Sequence, residues 1–358
     1  MKTIVIKQDE SFEEAAKILR RGGLVAFPTE TVYGLGGDAL NPESSRKIYA
    51  AKNRPSDNPL IVHICDISAL NRLCAEVPEY AYKLAQRFWP GPLTMILKKS
   101  AAVPYETTGG LDTVAVRMPD HEGALKLLRE SGVFIAAPSA NLSGKPSPTT
   151  AEHVFHDMNG RIDAIIDGGE VGIGIESTIV DLTKAPFAIL RPGYITPVML
   201  ESVLKEVIYD PAIIDANASK DLRPRAPGMK YRHYAPKAEL TIIKGLEQSV
   251  VDKINSMVEN NILSGLKTGI IAAEETADRY KAGNVKIAGS IKDPVTISHS
   301  LYGILRSFDD EETDVIYSES FDRERLCGDN GGSASDEEFA GAIMNRLTKA
   351  AGHHIMEV

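Results

Sequence analysis

The sequence predicts an α/β protein of two domains, a large twisted mixed sheet with flanking helices followed by a smaller parallel α/β domain. Three observations carry this. Apolar runs of strand length alternate with amphipathic segments of helical period along the whole chain. Several neighbouring runs in the first two hundred residues have no helix between them, so they cannot all be parallel. The 358 residues exceed one ordinary core, and the pattern breaks between Asp210 and Pro236.

The elements follow in order. Strands are expected at Ile4–Ile6 and Leu24–Phe27, with an amphipathic helix over Phe12–Arg21 that Gly22-Gly23 would cap. Further strands are expected at Leu60–Ile64, Leu93–Leu97, Val114–Arg117, Val133–Ala137, Ile162–Ile166, Ser177–Asp181 and Ala188–Leu190. Helices are expected at Pro42–Ala51, Pro78–Phe88, Gly123–Arg129, Thr150–Met158 and Pro197–Val207. This gives a first domain at 1–208. Residues 209–236, rich in proline and ending in Met229-Lys230-Tyr231-Arg232-His233-Tyr234-Ala235-Pro236, read as an ordered linker. Residues 237–358 carry strands at Leu240–Ile243, Thr268–Ala272, Val285–Ala288 and Asp314–Ser318, and helices such as Gln248–Asn260, Ile297–Ser307 and Asp336–Ala351. That alternation is a Rossmann-like parallel domain.

Composition excludes several classes. No apolar run is long enough to cross a bilayer, and the N-terminal apolar run is soon interrupted by charge, unlike a signal peptide. Cys65, Cys74 and Cys327 show no CxxC spacing, so no disulfide framework or zinc site is expected and a cytoplasmic setting is the default. The net charge of −9 is uneven. Residues 1–236 hold 27 Lys+Arg against 28 Asp+Glu, whereas 237–358 hold 13 against 21. The acidic second part argues against a nucleic-acid-binding tail, and local cationic clusters in a neutral first part suit a small anionic ligand.

Those clusters stand at strand ends. Lys52 and Arg54 precede Pro55 and Pro59, so both cations are expected from a stiff loop that pre-orients charge. Arg117 and Arg191 each close an apolar run; one such arginine is usually an ion-pair partner, whereas two suggest a convergent anion site. Pro28–Gly37 offers Thr29 and Thr31 beside glycines that allow close approach, or simply a tight turn; it is neither a Walker A loop nor a dinucleotide fingerprint. Ala137–Thr149 crowds hydroxyls and amides into a proline-stiffened loop that could serve phosphate oxygens or its own turns. His63 alone reads as a satisfied core histidine, Glu176-Ser177-Thr178 as turn chemistry or a ligand contact, and Trp89–Thr94 as packing. His353-His354 has no metal partner in view. Taken together, ligands in open α/β sheets sit outside strand ends, and this set predicts a ligand with several negative charges, such as a nucleoside triphosphate.

The ordered series PTETVYGLG (Pro28–Gly36), KNRPSDNPL (Lys52–Leu60), WPGPLT (Trp89–Thr94), VAVRMP (Val114–Pro119), PSANLSGKPSPT (Pro138–Thr149), ESTIVD (Glu176–Asp181), ILRPG (Ile189–Gly193) and PGMKYRHYAP (Pro227–Pro236) closely resembles the YrdC/YwlC family of L-threonylcarbamoyladenylate synthases. The C-terminal extension resembles that of the long, two-domain form. The resemblance implies a YrdC-like first domain and conversion of L-threonine, bicarbonate or CO2, and ATP to L-threonylcarbamoyl-AMP and pyrophosphate. The product would serve threonylcarbamoyladenosine formation in tRNA through partner threonylcarbamoyl-transferase proteins, with tRNA engaged indirectly. It further implies that Thr31, His63, Arg117, Ala137 and Ser177 meet threonine. Arg54, Asn58, Thr113, Ser139, Ser147, Arg191 and Tyr234 would surround ATP, and Lys52 and Arg54 would be catalytic. Mg²⁺ is expected mainly on the phosphates, with no metal site of the protein's own. The linker with Lys230, Tyr231, Arg232, His233 and Tyr234 is the expected lid, because carbamate and mixed anhydride are lost in water. Two rival readings are an RNA-docking module and a carbamoyl-transfer domain acting on another amine; related domains in hydrogenase maturation factors carry zinc-finger and acylphosphatase-like segments that are missing here.

Overall fold

The computed structural model describes residues 2–214, 224–229, 234–327 and 334–358. The chain separates into two compact units, one of 1–143, 147–172 and 176–231 and the other of 144–146, 173–175 and 232–358.

The first unit is built on an eleven-stranded mixed sheet. Its strands are β1 (Ile4–Lys7), β2 (Val25–Phe27), β3 (Gly34–Asp38), β4 (Ile61–His63), β5 (Leu93–Lys98), β6 (Thr113–Arg117), β7 (Ile135–Ala137), β8 (Ala164–Asp167), β9 (Thr178–Asp181), β10 (Phe187–Arg191) and β11 (Val207–Tyr209), in the order β1-β8-β2-β3-β7-β4-β6-β5-β9-β10-β11. Parallel pairs such as β4–β6 and β5–β9 alternate with antiparallel ones such as β4–β7 and β5–β6. The mixed sheet follows from the missing helices noted above.

Local chemistry sets the helices. α1 (Glu13–Arg20) stops where Gly22 turns left-handed at φ 78° and donates back to Leu19 O, while Gly23 donates to Ile18 O. α2 (Pro42–Lys52) starts at Asn41, whose side chain accepts from Glu43 N, has proline at its first position, and ends at Asn53 in the left-handed region.

Three expected features differ. Gly34–Asp38 forms a strand although its glycines read as a loop; its pairing with β2 and β7 overrides poor propensity. The helix expected over Pro197–Val207 stops at Glu201, and the β-branched run Val207-Ile208 with Tyr209 pairs beside β10 instead. Lys52 is not on a loop: it is the last residue of α2, because Asn53, not Pro55, ends the helix.

The second unit holds five strands, all pairs parallel: β12 (Glu239–Lys244), β13 (Thr268–Ala273), β14 (Asn284–Gly289), β15 (Val315–Glu319) and β16 (Ile355–Glu357), ordered β14-β13-β15-β12-β16. Helices Glu247–Leu263, Pro294–Asp310 and Ala334–Ala350 accompany them, as the Rossmann-like expectation requires. β16 escaped the sequence reading because three residues at the end of the chain carry too little pattern.

Candidate active site

Strand pairing decides which side chains share a face. Paired residues point to the same side of a sheet, as do residues two apart in one strand. His63 is paired with Arg117, and Ile61 with both Ala115 and Ala137. Ile96 lies opposite Ala115, Thr94 opposite Ile179, and Ile179 opposite Arg191. Steps of two extend the face to Thr113 and Ser177. So His63, Thr113, Arg117, Ala137 and Ser177 occupy one face of the sheet, and Arg191, which follows a bulge in β10, joins them through its bonds to Ser177. The other face sends Val62, Met95, Leu97, Val114, Val116, Ala136 and Val180 into the main core.

The shared face has two polar ends and an apolar floor. Thr113 begins β6 and Arg117 ends it, about 13 Å apart at ordinary strand rise. Between them lie Ile61, Ile96, Ala115, Ile179 and Leu190.

At the Thr113 end, loops bring in the remaining groups. Lys52 is buried, and its Nζ donates to the main-chain carbonyls of Ser139 and Asn141, the latter at 2.6 Å. The lysine thereby holds the Pro138–Ser143 loop onto α2. Ser139 Oγ donates to Asn141 Oδ1 at 2.6 Å. Arg54 folds along its own loop, with Nη2 3.1 Å from Pro59 O and Nε 3.3 Å from Asn58 O. The Asn58 side-chain oxygen is buried with no hydrogen-bond partner among the described residues. Gly34 bridges to Ser139, and the fully buried Thr31 hydroxyl lies 2.9 Å from that of Thr29.

The Arg117 end is a buried polar network. Arg191 donates from Nε to Ser177 O at 2.9 Å and from Nη2 to Ser177 Oγ at 3.0 Å; Ser177 Oγ also lies 2.8 Å from Thr94 Oγ1. Ser147 Oγ donates to Glu176 at 2.7 Å. Arg117 Nη2 stands 2.7 Å from Glu30 Oε2, with side chains only 5% and 13% exposed. The contact is ionic without being a directed hydrogen bond, since neither atom has a hydrogen-bond partner among the described residues. Burial, then the nearby Arg117 charge, pushes His63 down to about 3, so the imidazole is neutral. Its Nδ1 lies 3.1 Å from Ile61 O.

Part of the linker covers this face. Ala226 is fully buried and, with Met229, packs on the apolar floor. Arg225 pairs with Asp181 at 2.9 Å and with Asp210. Tyr234 belongs to the second unit, at φ 65° and with its ring 5.1 Å from that of Tyr302. Lys230, Tyr231, Arg232 and His233 of the expected lid lie outside the described residues.

Comparison with known proteins shows the family. Residues 17–193 match the Sua5/YciO/YrdC family model, described as telomere recombination, and 195–352 match the model for the C-terminal domain of threonylcarbamoyl-AMP synthase. Threonylcarbamoyl-AMP synthase of Bacillus subtilis is 48% identical over 349 residues, 97% of this chain and 95% of its own. The chain belongs to the two-domain Sua5 family. The Pyrococcus abyssi member is 46% identical over 99% of this chain and 100% of its own. A crystal structure of P. abyssi Sua5 complexed with L-threonine matches with TM-score 0.89 at 45% identity, covering 100% of both chains.

For a Sua5 protein, sequence reasoning found most of the polar face and missed how it is tied together. Glu30 and Arg225 were not singled out, and Thr94 was placed in a packing element. Thr94 and Glu30 both lie inside quoted motifs, Thr94 in one that packing explains and Glu30 in one that a tight turn explains. Arg225 carried no signal, because its two carboxylate partners are remote in sequence. Trp89 does pack as expected, donating from Nε1 to Leu93 O at 2.7 Å.

Proposed function

We propose that the polar face of the large sheet is where threonine, as its N-carboxylate, meets ATP. The chain is a threonylcarbamoyl-AMP synthase by family, an adenylyl-transferring enzyme that makes threonylcarbamoyl-AMP. The carrying observation is the register that sets His63, Arg117, Ala137 and Ser177 on one face with Thr113, together with the bonds by which Arg191 joins Ser177 there.

On this reading Thr31, His63, Arg117, Ala137 and Ser177 hold threonine, the amino acid bound in the P. abyssi structure. Arg54, Asn58, Thr113, Ser139, Ser147 and Arg191 hold ATP. The amine of threonine takes up CO2 or bicarbonate; a carbamate oxygen then attacks the α-phosphorus and pyrophosphate leaves. Anions must approach one another, so fixed cations dominate the rate. Lys52 acts by keeping the Ser139–Asn141 carbonyls turned toward itself, which directs the rest of that loop to the phosphates, and by its own charge. Arg54 supplies a second cation, and a Mg²⁺ ion, held mainly by the phosphates, would add positive charge there. A neutral His63 can accept from the substrate hydroxyl without repelling Arg117. Ser139 serves as a hydrogen-bonding group, since no covalent nucleophile is needed. Ala226 and Met229 of the linker cover the apolar floor of the site.

The product passes to partner transferases that modify tRNA, in the cytoplasm. Among the described residues no helix is long and apolar enough to cross a membrane. The test is pyrophosphate release with threonine and bicarbonate omitted in turn. Release should need both, and valine should replace threonine poorly because the hydroxyl's partners would be left unpaired. Release indifferent to threonine would reject the assignment.

A further inference from the structure

We propose that Glu30 binds the amine of the substrate amino acid, so that Glu30 and Arg117 together form a dipolar receptor for an α-amino acid. The inference rests on the threonine site proposed above and adds a residue to it. As the one cation among the groups assigned there to threonine, Arg117 is the partner of the substrate carboxylate. In an α-amino acid the nitrogen is bonded to the carbon that bears the carboxylate, so a group receiving the amine must stand directly beside that arginine. Glu30 Oε2 is 2.7 Å from Arg117 Nη2.

The hydrogen-bonding pattern points the same way. Both carboxylate oxygens of Glu30 are buried, and neither has a hydrogen-bond partner among the described residues. A buried carboxylate that only held an arginine in place would normally take aligned N–H donors from it. Here the two charges touch out of line, so the protein itself leaves these buried polar atoms able to take a ligand's donors and acceptor. An ammonium or amine supplies the N–H donors that Glu30 lacks, while the carboxylate of the same molecule gives Arg117 Nη2 its acceptor. Thr29 and Thr31 fix the carboxylate's backbone, because the Thr29 hydroxyl ties Val32 O at 2.6 Å and accepts from Thr31 N at 3.1 Å. Nearby His63 is neutral and adds no competing charge.

The experiment compares L-threonine with (2S,3R)-2,3-dihydroxybutanoate, which keeps the carboxylate and the side-chain hydroxyl and replaces the amine by a hydroxyl. Calorimetric titration of the full-length wild type should show threonine binding about 10- to 100-fold tighter, the worth of a charge-assisted contact. In Glu30→Gln that preference should shrink to within a few-fold of one, with ATP affinity unchanged. If Glu30 merely props up Arg117, both ligands weaken equally and the preference stays at its wild-type value, which overturns the proposal. Should Glu30→Gln fail to fold, Glu30→Asp decides: a shortened carboxylate drawn back from the amine must lower the preference, and an unchanged ratio overturns it. A wild type that binds neither ligand would instead refute the threonine site itself.

Discussion

Lys52 Nζ lies 2.6 Å from the main-chain carbonyl of Asn141, 89 residues away, and also donates to Ser139 O. A buried ammonium therefore fastens the hydroxyl-rich loop to the end of α2. Lys52→Met keeps the stem and removes the donors. Turnover should fall by about a hundredfold or more, as for loss of a preorganised charge. The melting temperature should fall as well, since buried carbonyls are left unpaired. Steady-state kinetics with thermal unfolding checks this, and a variant with full stability and full rate would refute it.

Arg191→Lys should hurt more than a conservative exchange suggests. The guanidinium spans Ser177 O and Ser177 Oγ from two different nitrogens, a geometry one ammonium cannot reproduce. KM for ATP and for threonine should rise together, because the arginine and the serine belong to one network. A change in ATP alone would separate them.

Arg225→Ala should loosen the linker more than the fold. Arg225 is 45% exposed at its side chain, so the global cost should stay near or below about 1 kcal/mol. Limited proteolysis should become faster between Asp210 and Met229, and ATP breakdown without product should rise. Unchanged proteolysis would show that packing of Ala226 suffices.

His63 links stability to pH. Its folded pKa of about 3 is below the ordinary 6.5, so in this window the unfolded chain binds the extra proton. The contribution is fully present above pH 6.5 and is lost as pH falls toward 3, with a slope of at most about 1.4 kcal/mol per pH unit. Chemical denaturation across pH 4–7 should show a shallower slope in His63→Gln.

Gly36→Ala should destabilise the first unit. A Cβ there would sit 2.6 Å from Ile135 Cγ2 and 2.9 Å from the Phe27 ring. Crowding of that kind costs about 1–3 kcal/mol, readable as a lower denaturant midpoint.

The sequence by itself determined the class, the strands β4, β5, β6, β7, β9 and β10, and the polar groups at their ends. It could do so because helical and strand periods, a cap such as Gly22, and the quoted motifs are local properties. Tertiary structure alone decided that β3 is a strand and that Lys52 turns inward to Ser139 and Asn141. It also decided that Arg117 faces Glu30 and that Arg225 reaches Asp181. Each of these depends on which remote segment lies alongside, and strand register, which sets the shared face, is a long-range energy balance that no window of sequence contains.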